Sequence, residues 1–216
     1  MDRETELGLV RRAYAKEIVA TSGIPDARVE TAFAEVRRED FLDPGPWLVI
    51  GERGDYVRTP SGDPAYLYLD HVVGILPQRH LNNGQPSLHA KLIANAAPLP
   101  GEHVVHIGAG TGYYTAIMAH LVGPSGKVTG IELDPGLAER ARDNLSSYPD
   151  VDVAAGTAPS CRSRLPMCMR IARGAGLPRR RICQTRPDPL LVYDKLSLAV
   201  RHDAAGKVEP SEHSGA

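Results

Sequence analysis

The chain begins with apolar residues at helical spacing. Between residues 5 and 22 this spacing predicts a first helix, which ends before Gly23. Asp26 is a suitable N-cap for a second helix. The predicted apolar faces are Leu7, Leu9, Val10, Tyr14, Ile18 and Val19 in the first helix and Val29, Phe33 and Val36 in the second.

The segment 41–85 has a different pattern. It is rich in glycine and proline and is interrupted by the sequences DPGP, TPSGDP and LPQRH. Such residues favour turns over regular structure, so the segment is predicted to be irregular chain with short strands at 66–69 and 72–76. We expect it to cover a core that lies elsewhere.

From residue 87 onward, helical and β-branched stretches alternate. A helix that begins at Ser87 is predicted to end before Pro98. The runs HVVHI, KVTGIEL and VDVAA then predict three strands, separated by the helical stretch YYTAIMAHLV and by a helix from Pro135 to Asn144. This order predicts an α/β fold with a parallel sheet and right-handed crossovers.

Three glycines, Gly108, Gly110 and Gly112, directly follow the first strand of this unit. Ligands of parallel α/β sheets bind where such a turn meets a helix N-terminus, so a cofactor is predicted at 107–114. Glycine lets the backbone adopt positive φ and approach a ligand closely. A dinucleotide fold would prefer a third glycine at Tyr113. The observed G-x-G-x-G spacing instead suits a ligand without phosphate, such as the amino acid end of S-adenosylmethionine.

Glu132 ends the second strand, about 20 residues beyond the glycine turn. A carboxylate in this position can accept hydrogen bonds from both hydroxyls of a ribose. The alternative is a solvated acid beside an ordinary tight turn, but the two features together favour a nucleoside site. The predicted cofactor-binding residues are Gln85, Gly108, Ala109, Gly110, Thr111, Gly112, Tyr113, Glu132 and Leu133.

The stretch VVHIGAGTGYYTAIMAHLVGPSGKVTGIELDPGLAERARDNL resembles the cofactor half of the class I methyltransferases, and most closely the protein-L-isoaspartate O-methyltransferase family. SGIPDARVETAFAEVRREDFLDP and GQPSLHAKLIANAAPLPGEHVVHIG resemble the same family, so the resemblance covers residues 8–156. It implies a seven-stranded Rossmann-like sheet. It also implies methyl transfer from S-adenosylmethionine to a carboxylate of a damaged aspartyl residue, with damaged proteins or peptides as partners.

The resemblance also shows where this chain departs from the family around the acceptor. The family has a Q-T-I-S segment before a Gln-Pro pair; aligned on Gln85, its threonine falls on Asn82 and its active-site serine on Gly84. Asn82 and Asn83 are the candidate catalytic residues, because amide N–H groups can bind a carboxylate. The same Asn-Asn-Gly sequence is equally typical of an ordinary turn.

Three further side chains have two interpretations each. His106 stands where the family commonly has glutamate and is either a polar residue under the cofactor or, as we favour, a packed histidine. Tyr113 and Tyr114 either cover the ligand or belong to the core.

After Gly156 the family pattern ends. The family has Gly-Asp-Gly, whose acid meets adenine, and then another strand; here Thr157 replaces the acid and no strand period follows. A basic RNA-binding patch at 179–181 is one interpretation, although no aromatic residues are interleaved with it. We favour a frameshift near Gly156, since a Gly-Asp-Gly-Ala codon run that loses one base can encode Gly-Thr-Ala-Pro.

These patterns divide the chain into three predicted parts. Residues 1–86 form N-terminal helices and a substrate-side cover, and residues 87–156 form the S-adenosylmethionine-binding core. Residues 157–216 form a divergent, poorly ordered tail, which leaves the Rossmann-like class I methyltransferase sheet incomplete on its C-terminal side.

Composition adds mainly exclusions. The formal net charge is −1, which gives no reason to expect nucleic-acid binding. An acidic N-terminus and the lack of a long apolar run predict a cytoplasmic protein that does not bind membranes. Three cysteines without paired spacing predict neither a disulfide framework nor a metal site. The functional hypotheses are an isoaspartyl methyltransferase, a methyltransferase with another acceptor, or an inactive remnant; an NAD oxidoreductase is disfavoured.

Overall fold

The computed structural model describes residues 2–51, 53–157, 168–172 and 180–183, the last two ranges by their backbone. The helices in this part of the chain are α1 (Arg3–Ser22), α2 (Ala27–Glu35), α3 (Pro86–Ala96), α4 (Tyr113–Val122) and α5 (Pro135–Asn144). The strands are β1 (Leu48–Ile50), β2 (Tyr56–Arg58), β3 (Gly74–Leu76), β4 (Leu81–Asn82), β5 (His103–Ile107), β6 (Lys127–Glu132), β7 (Val151–Ala155), β8 (Cys168–Ala172) and β9 (Arg180–Cys183).

Both N-terminal helices are confirmed, and side chains cap them as their sequences indicate. The Asp26 carboxylate accepts hydrogen bonds from the first amides of α2, and Gly23 ends α1 with a left-handed φ of 73°. Leu9 was wrongly placed on the buried face of α1, since 47% of it is exposed. Arg11 occupies that face instead, because its guanidinium donates to the Ala34 carbonyl at 2.8 Å.

The α/β sheet is confirmed by strand pairing. Its order is β7-β6-β5-β8-β9, and β5, β6 and β7 are mutually parallel. Helices α4 and α5 form the two crossovers between these parallel strands. Because β5 and β6 end side by side, their register brings Ile107 opposite Ile131 and places the glycine turn next to Glu132.

Two strands lie in the segment for which the sequence showed no strand period. β8 pairs with β5 and β9 pairs with β8, both antiparallel. This pairing gives β5 a neighbour on the side where the sheet is predicted to be incomplete, and the described sheet has five strands, fewer than the seven that the resemblance implies. The backbone hydrogen bonds of a strand do not require alternating side chains, which is why periodicity did not indicate these strands. Residues 180 and 181 of the predicted basic patch lie in β9, which is described by its backbone alone, so RNA binding there stays an interpretation. The tail from residue 200 lies outside the described residues.

The cover differs in detail from its prediction. Residues 66–69 do not form a strand: Pro64–Leu67 is a 3₁₀ turn that begins with Asp63 as a side-chain cap. The strand predicted at 72–76 is confirmed as β3, whereas the hairpin of β1 and β2 was not predicted. A small buried cluster of Trp47, Leu67 and Val73 holds this region together, and local sequence does not reveal such tertiary packing.

The main core lies between the sheet and the N-terminal helices. α4 is buried on nearly all sides, so it is the central layer on which α2 and the parallel strands pack. No helix in the described part of the chain combines the length and the apolar character needed to cross a bilayer.

Candidate functional site

The glycine turn between β5 and α4 depends on backbone conformations that other residues rarely adopt. Gly108, Gly110 and Gly112 have φ values of 84°, 56° and 102°. The Gly108 amide donates to the Ile131 carbonyl at 2.8 Å, which fixes the turn to the end of β6. A Cβ at Gly112 would lie 2.8 Å from Leu145 Cδ1, so this glycine allows the turn to approach the residue that follows α5.

The Glu132 carboxylate organises the same turn from the neighbouring strand. Its Oε2 accepts a hydrogen bond from the Gly110 amide at 2.8 Å, and its Oε1 accepts one from the Asp134 amide at 3.0 Å. Only 9% of Glu132 is exposed. A carboxylate has about four acceptor positions, so lone pairs remain for two further donors.

The hairpin of β3 and β4 covers this turn. A Cβ at Gly110 would be in van der Waals contact with Ile75 Cδ1, at 3.8 Å. Arg79, which lies between β3 and β4, donates to Asp134 Oδ2 at 2.5 Å. This hydrogen bond lowers the pKa of Asp134. The hairpin is therefore attached to the N-cap of α5 beside Glu132, and Ile75 packs close to the turn at Gly110.

Comparison with known proteins relates this chain to a methyltransferase family. Residues 14–157 match the family model described as protein-L-isoaspartate(D-aspartate) O-methyltransferase. The chain belongs to the protein-L-isoaspartate O-methyltransferase family. The family match ends at residue 157, immediately after the glycine at which the sequence departs from the family pattern.

Curated relatives and a solved structure carry the same family name. A protein-L-isoaspartate O-methyltransferase 2 of Anaeromyxobacter sp. is 34% identical over 136 residues, 63% of this chain and 47% of that protein. A Methanopyrus kandleri relative is 50% identical over 93 residues, 43% of this chain and 39% of that protein. A solved protein-L-isoaspartate O-methyltransferase superposes with a TM-score of 0.54 at 28% identity, covering 67% of this chain and 42% of that one. The chain thus spans less than half the length of these relatives.

The other predicted cofactor residues of this chain lie in different environments. Ala109 and Thr111 are buried, and the Thr111 carbonyl accepts a hydrogen bond from Asn144 on α5 at 2.9 Å. Leu133 is 69% exposed beside Glu132. The Gln85 side-chain amide donates to Asp70 at 2.9 Å, so it helps to hold the start of α3. Cofactor contact by these four residues stays a prediction.

The tyrosines that open α4 pack into the core. Tyr113 contacts Phe33 and Phe41 at ring-centroid distances of 6.2 and 5.7 Å and is 3% exposed. The structure therefore favours the packing interpretation for its side chain, and its backbone amide is the part of Tyr113 that adjoins the turn. Tyr114 is also buried, but its ring stacks on His89 with a centroid distance of 3.7 Å.

Asn82 and Asn83 both use their side-chain oxygens to build the turn. Asn82 Oδ1 accepts a hydrogen bond from the Gly84 amide, and Asn83 Oδ1 accepts one from the Val73 amide, each at 2.9 Å. These contacts support the turn interpretation for the oxygens. The Asn83 Nδ2 atom is buried without a hydrogen-bond partner among the described residues, so a donor remains for an acceptor group.

A fully buried arginine holds the cover, and sequence reasoning missed it. Arg38 donates to the carbonyls of Leu67 and His71 at 2.6 and 2.7 Å and lies 3.4 Å from Asn83 Oδ1. Burial of a cation requires such partners. Here they come from the loop that leads to residues 82–84, which we call the acceptor turn. The only signal in the sequence is the charged run RRED, which is more typical of a solvated surface.

His106 is a packed strand histidine, as favoured. Its Nδ1 lies 2.8 Å from Thr115 Oγ1 on α4, and only 1% of the residue is exposed. Burial lowers the pKa of His106 to about 3, with a smaller contribution from nearby His89. The imidazole is therefore neutral at physiological pH.

Proposed function

We propose that this chain binds S-adenosylmethionine at the glycine turn and transfers its methyl group to the carboxylate of a damaged aspartyl residue in a protein or peptide. Family membership supports the reaction class. The observation that carries the proposal is the Glu132 carboxylate, which is fixed by the Gly110 and Asp134 amides beside that turn.

The residues present fit an adenosyl cofactor in three respects. Glu132 retains acceptor positions for the two ribose hydroxyls. Gly110 has no Cβ that would stand between the backbone of the turn and the amino acid end of the cofactor, although Ile75 packs close to this position. Leu133 presents an exposed apolar side chain where an adenine ring could pack.

One element of the cofactor site is absent. Thr157 stands where the resemblance implies an acid for the adenine amino group. A threonine hydroxyl is a weaker acceptor than a carboxylate, so we expect lower affinity than the family pattern implies.

Methyl transfer to a carboxylate needs little proton transfer, so the residues act mainly by positioning. When bound, the cofactor supplies an activated methyl group on a sulfonium. The hairpin of β3 and β4 would exclude water, and the side-chain amides of Asn82 and Asn83 would orient the acceptor carboxylate. Holding acceptor and methyl group in line contributes most of the rate acceleration in such displacements.

The wider role follows from this reaction. Methylation of damaged aspartyl carboxylates would make the chain part of protein repair, acting on damaged proteins of the cytoplasm. We propose no nucleic-acid or membrane partner.

The test is transfer of radiolabelled methyl from S-adenosylmethionine to an isoaspartyl peptide. The matched control is the same peptide with a normal aspartyl residue, which should not be labelled. Binding of S-adenosylhomocysteine without any peptide labelling would favour a different acceptor. Failure to bind S-adenosylhomocysteine at high micromolar concentration would favour an inactive remnant.

A further inference from the structure

The side chain of His89 packs against Gly84, in the turn at residues 82–84 that is predicted to bind the methyl acceptor. Its ring stacks nearly parallel on Tyr114, with a centroid distance of 3.7 Å and an interplanar angle of 8°. Tyr114 is in the first turn of α4, four residues beyond Gly110, and its hydroxyl donates to the Gly84 carbonyl at 3.3 Å. The imidazole is therefore held between the acceptor turn and the helix that follows the glycine turn.

The imidazole and a side chain at position 84 exclude one another. A Cβ at Gly84 would lie 2.2 Å from His89 Cε1 and 3.0 Å from its Nδ1, and the φ of Gly84 is +73°. Atoms cannot approach this closely, so the ring occupies the space that a side chain on the turn would fill. At this position the surface of the turn is therefore formed by the His89 imidazole and not by a side chain of the turn itself.

The hydrogen bonding of His89 defines its tautomer. Nδ1 lies 2.9 Å from the Gln85 carbonyl, which can only accept, so Nδ1 carries the proton. Nε2 then has a lone pair, and it makes no hydrogen bond to any residue that the structure describes. Burial lowers the pKa of His89 to about 4, so this uncharged form persists at neutral pH.

We propose that His89 binds the methyl acceptor, with Nε2 accepting a hydrogen bond from an amide N–H that flanks the acceptor carboxylate of an isoaspartyl peptide. A lone pair repels a carboxylate and attracts an N–H donor, so His89 contacts the peptide backbone and leaves the carboxylate to the turn amides. The inference rests on the proposed function and adds a specificity-determining contact to it.

The test compares peptides that differ only in this donor. Calorimetry in the presence of S-adenosylhomocysteine measures binding of an isoaspartyl peptide and of two analogues, in each of which one flanking amide is replaced by an ester. For the native chain we expect one ester analogue to bind about tenfold more weakly, as the loss of about one hydrogen bond implies. His89→Phe, which keeps a ring on Tyr114 but lacks Nε2, should bind that analogue and the amide peptide equally.

Two further variants control for folding and position. His89→Ala should also lose the discrimination, and His120→Ala, at an exposed position on α4, should retain it. Equal binding of both esters and the amide by the native chain, or unchanged discrimination in His89→Phe, would overturn the inference while peptide methylation stands. If the native chain bound S-adenosylhomocysteine but none of the peptides, both this inference and the proposed function would be overturned.

Discussion

Lowering the pH should destabilise the fold through His106. This histidine is 1% exposed, and its folded-state pKa of about 3 lies below the unfolded value of about 6.5. The unfolded chain therefore binds a proton that the folded chain excludes. The stability contribution of the neutral ring is fully present above pH 6.5 and is lost as the pH falls towards 3.

Over part of this pH range, the size of the stability loss depends only on protonation of the unfolded chain. Between pH 7.5 and 5.5 the folded ring stays neutral, while protonation raises the statistical weight of the unfolded state about tenfold. The free energy of unfolding should thus fall by about 1.4 kcal/mol from this residue. The value does not depend on the exact folded pKa, provided that it lies well below 5.5.

Urea unfolding followed by circular dichroism at both pH values measures this loss. Other histidines also titrate, so the native chain is compared with His106→Asn, whose amide can still reach Thr115. The contribution of His106 is the difference between the two proteins in how far the free energy of unfolding falls from pH 7.5 to 5.5. That difference should be about 1.4 kcal/mol, whereas His120→Asn at an exposed site should resemble the native chain. An identical pH dependence in His106→Asn and the native chain would refute the reasoning.

Three other outcomes are expected. Gly112→Ala should lower the free energy of unfolding by about 2–3 kcal/mol, because φ is 102° and the new Cβ would lie 2.8 Å from Leu145 Cδ1. Gly23→Ala, whose Cβ would meet no described residue within 4 Å, should lower it by only about 1 kcal/mol. Urea unfolding measures both changes. Arg38→Met should lower the free energy of unfolding by more than about 3 kcal/mol, because buried carbonyls lose their donor. Arg37→Met, at an exposed position, should lower it by less than about 1 kcal/mol. Thermal unfolding measures both changes. Sequencing the gene and translating the neighbouring frame after the Gly156 codon should give family-like sequence, including the expected strand; absence of such sequence would reject the frameshift.

The sequence predicted the elements that depend on local signals. Asp26 and the glycines at 108, 110 and 112 act within a few residues, through capping and through positive φ, so their effects could be inferred without tertiary contacts. The proximity of Glu132 to the glycine turn was also predictable, because neighbouring parallel strands end at the same edge.

The remaining features depend on tertiary contacts that no local pattern records. The two roles of Tyr113 could not be separated until α2 was known to pack on α4. Arg38 looks like a surface charge until the carbonyls of the loop at 67–71 surround it. The coupling of Gly84 to His89 arises because α3 brings the imidazole back onto the turn that precedes it.

The arrangement of Gly110, Glu132 and Asp134 is the central claim, and calorimetric titration of S-adenosylhomocysteine tests it most directly. The native chain should bind with a micromolar Kd, and Glu132→Ala should bind at least about tenfold more weakly, since it loses charge-assisted hydrogen bonds to the ribose. Glu139→Ala, an exposed acid on α5, should bind like the native chain. Equal affinity of a folded Glu132→Ala and the native chain, or no binding by the native chain, would contradict the account.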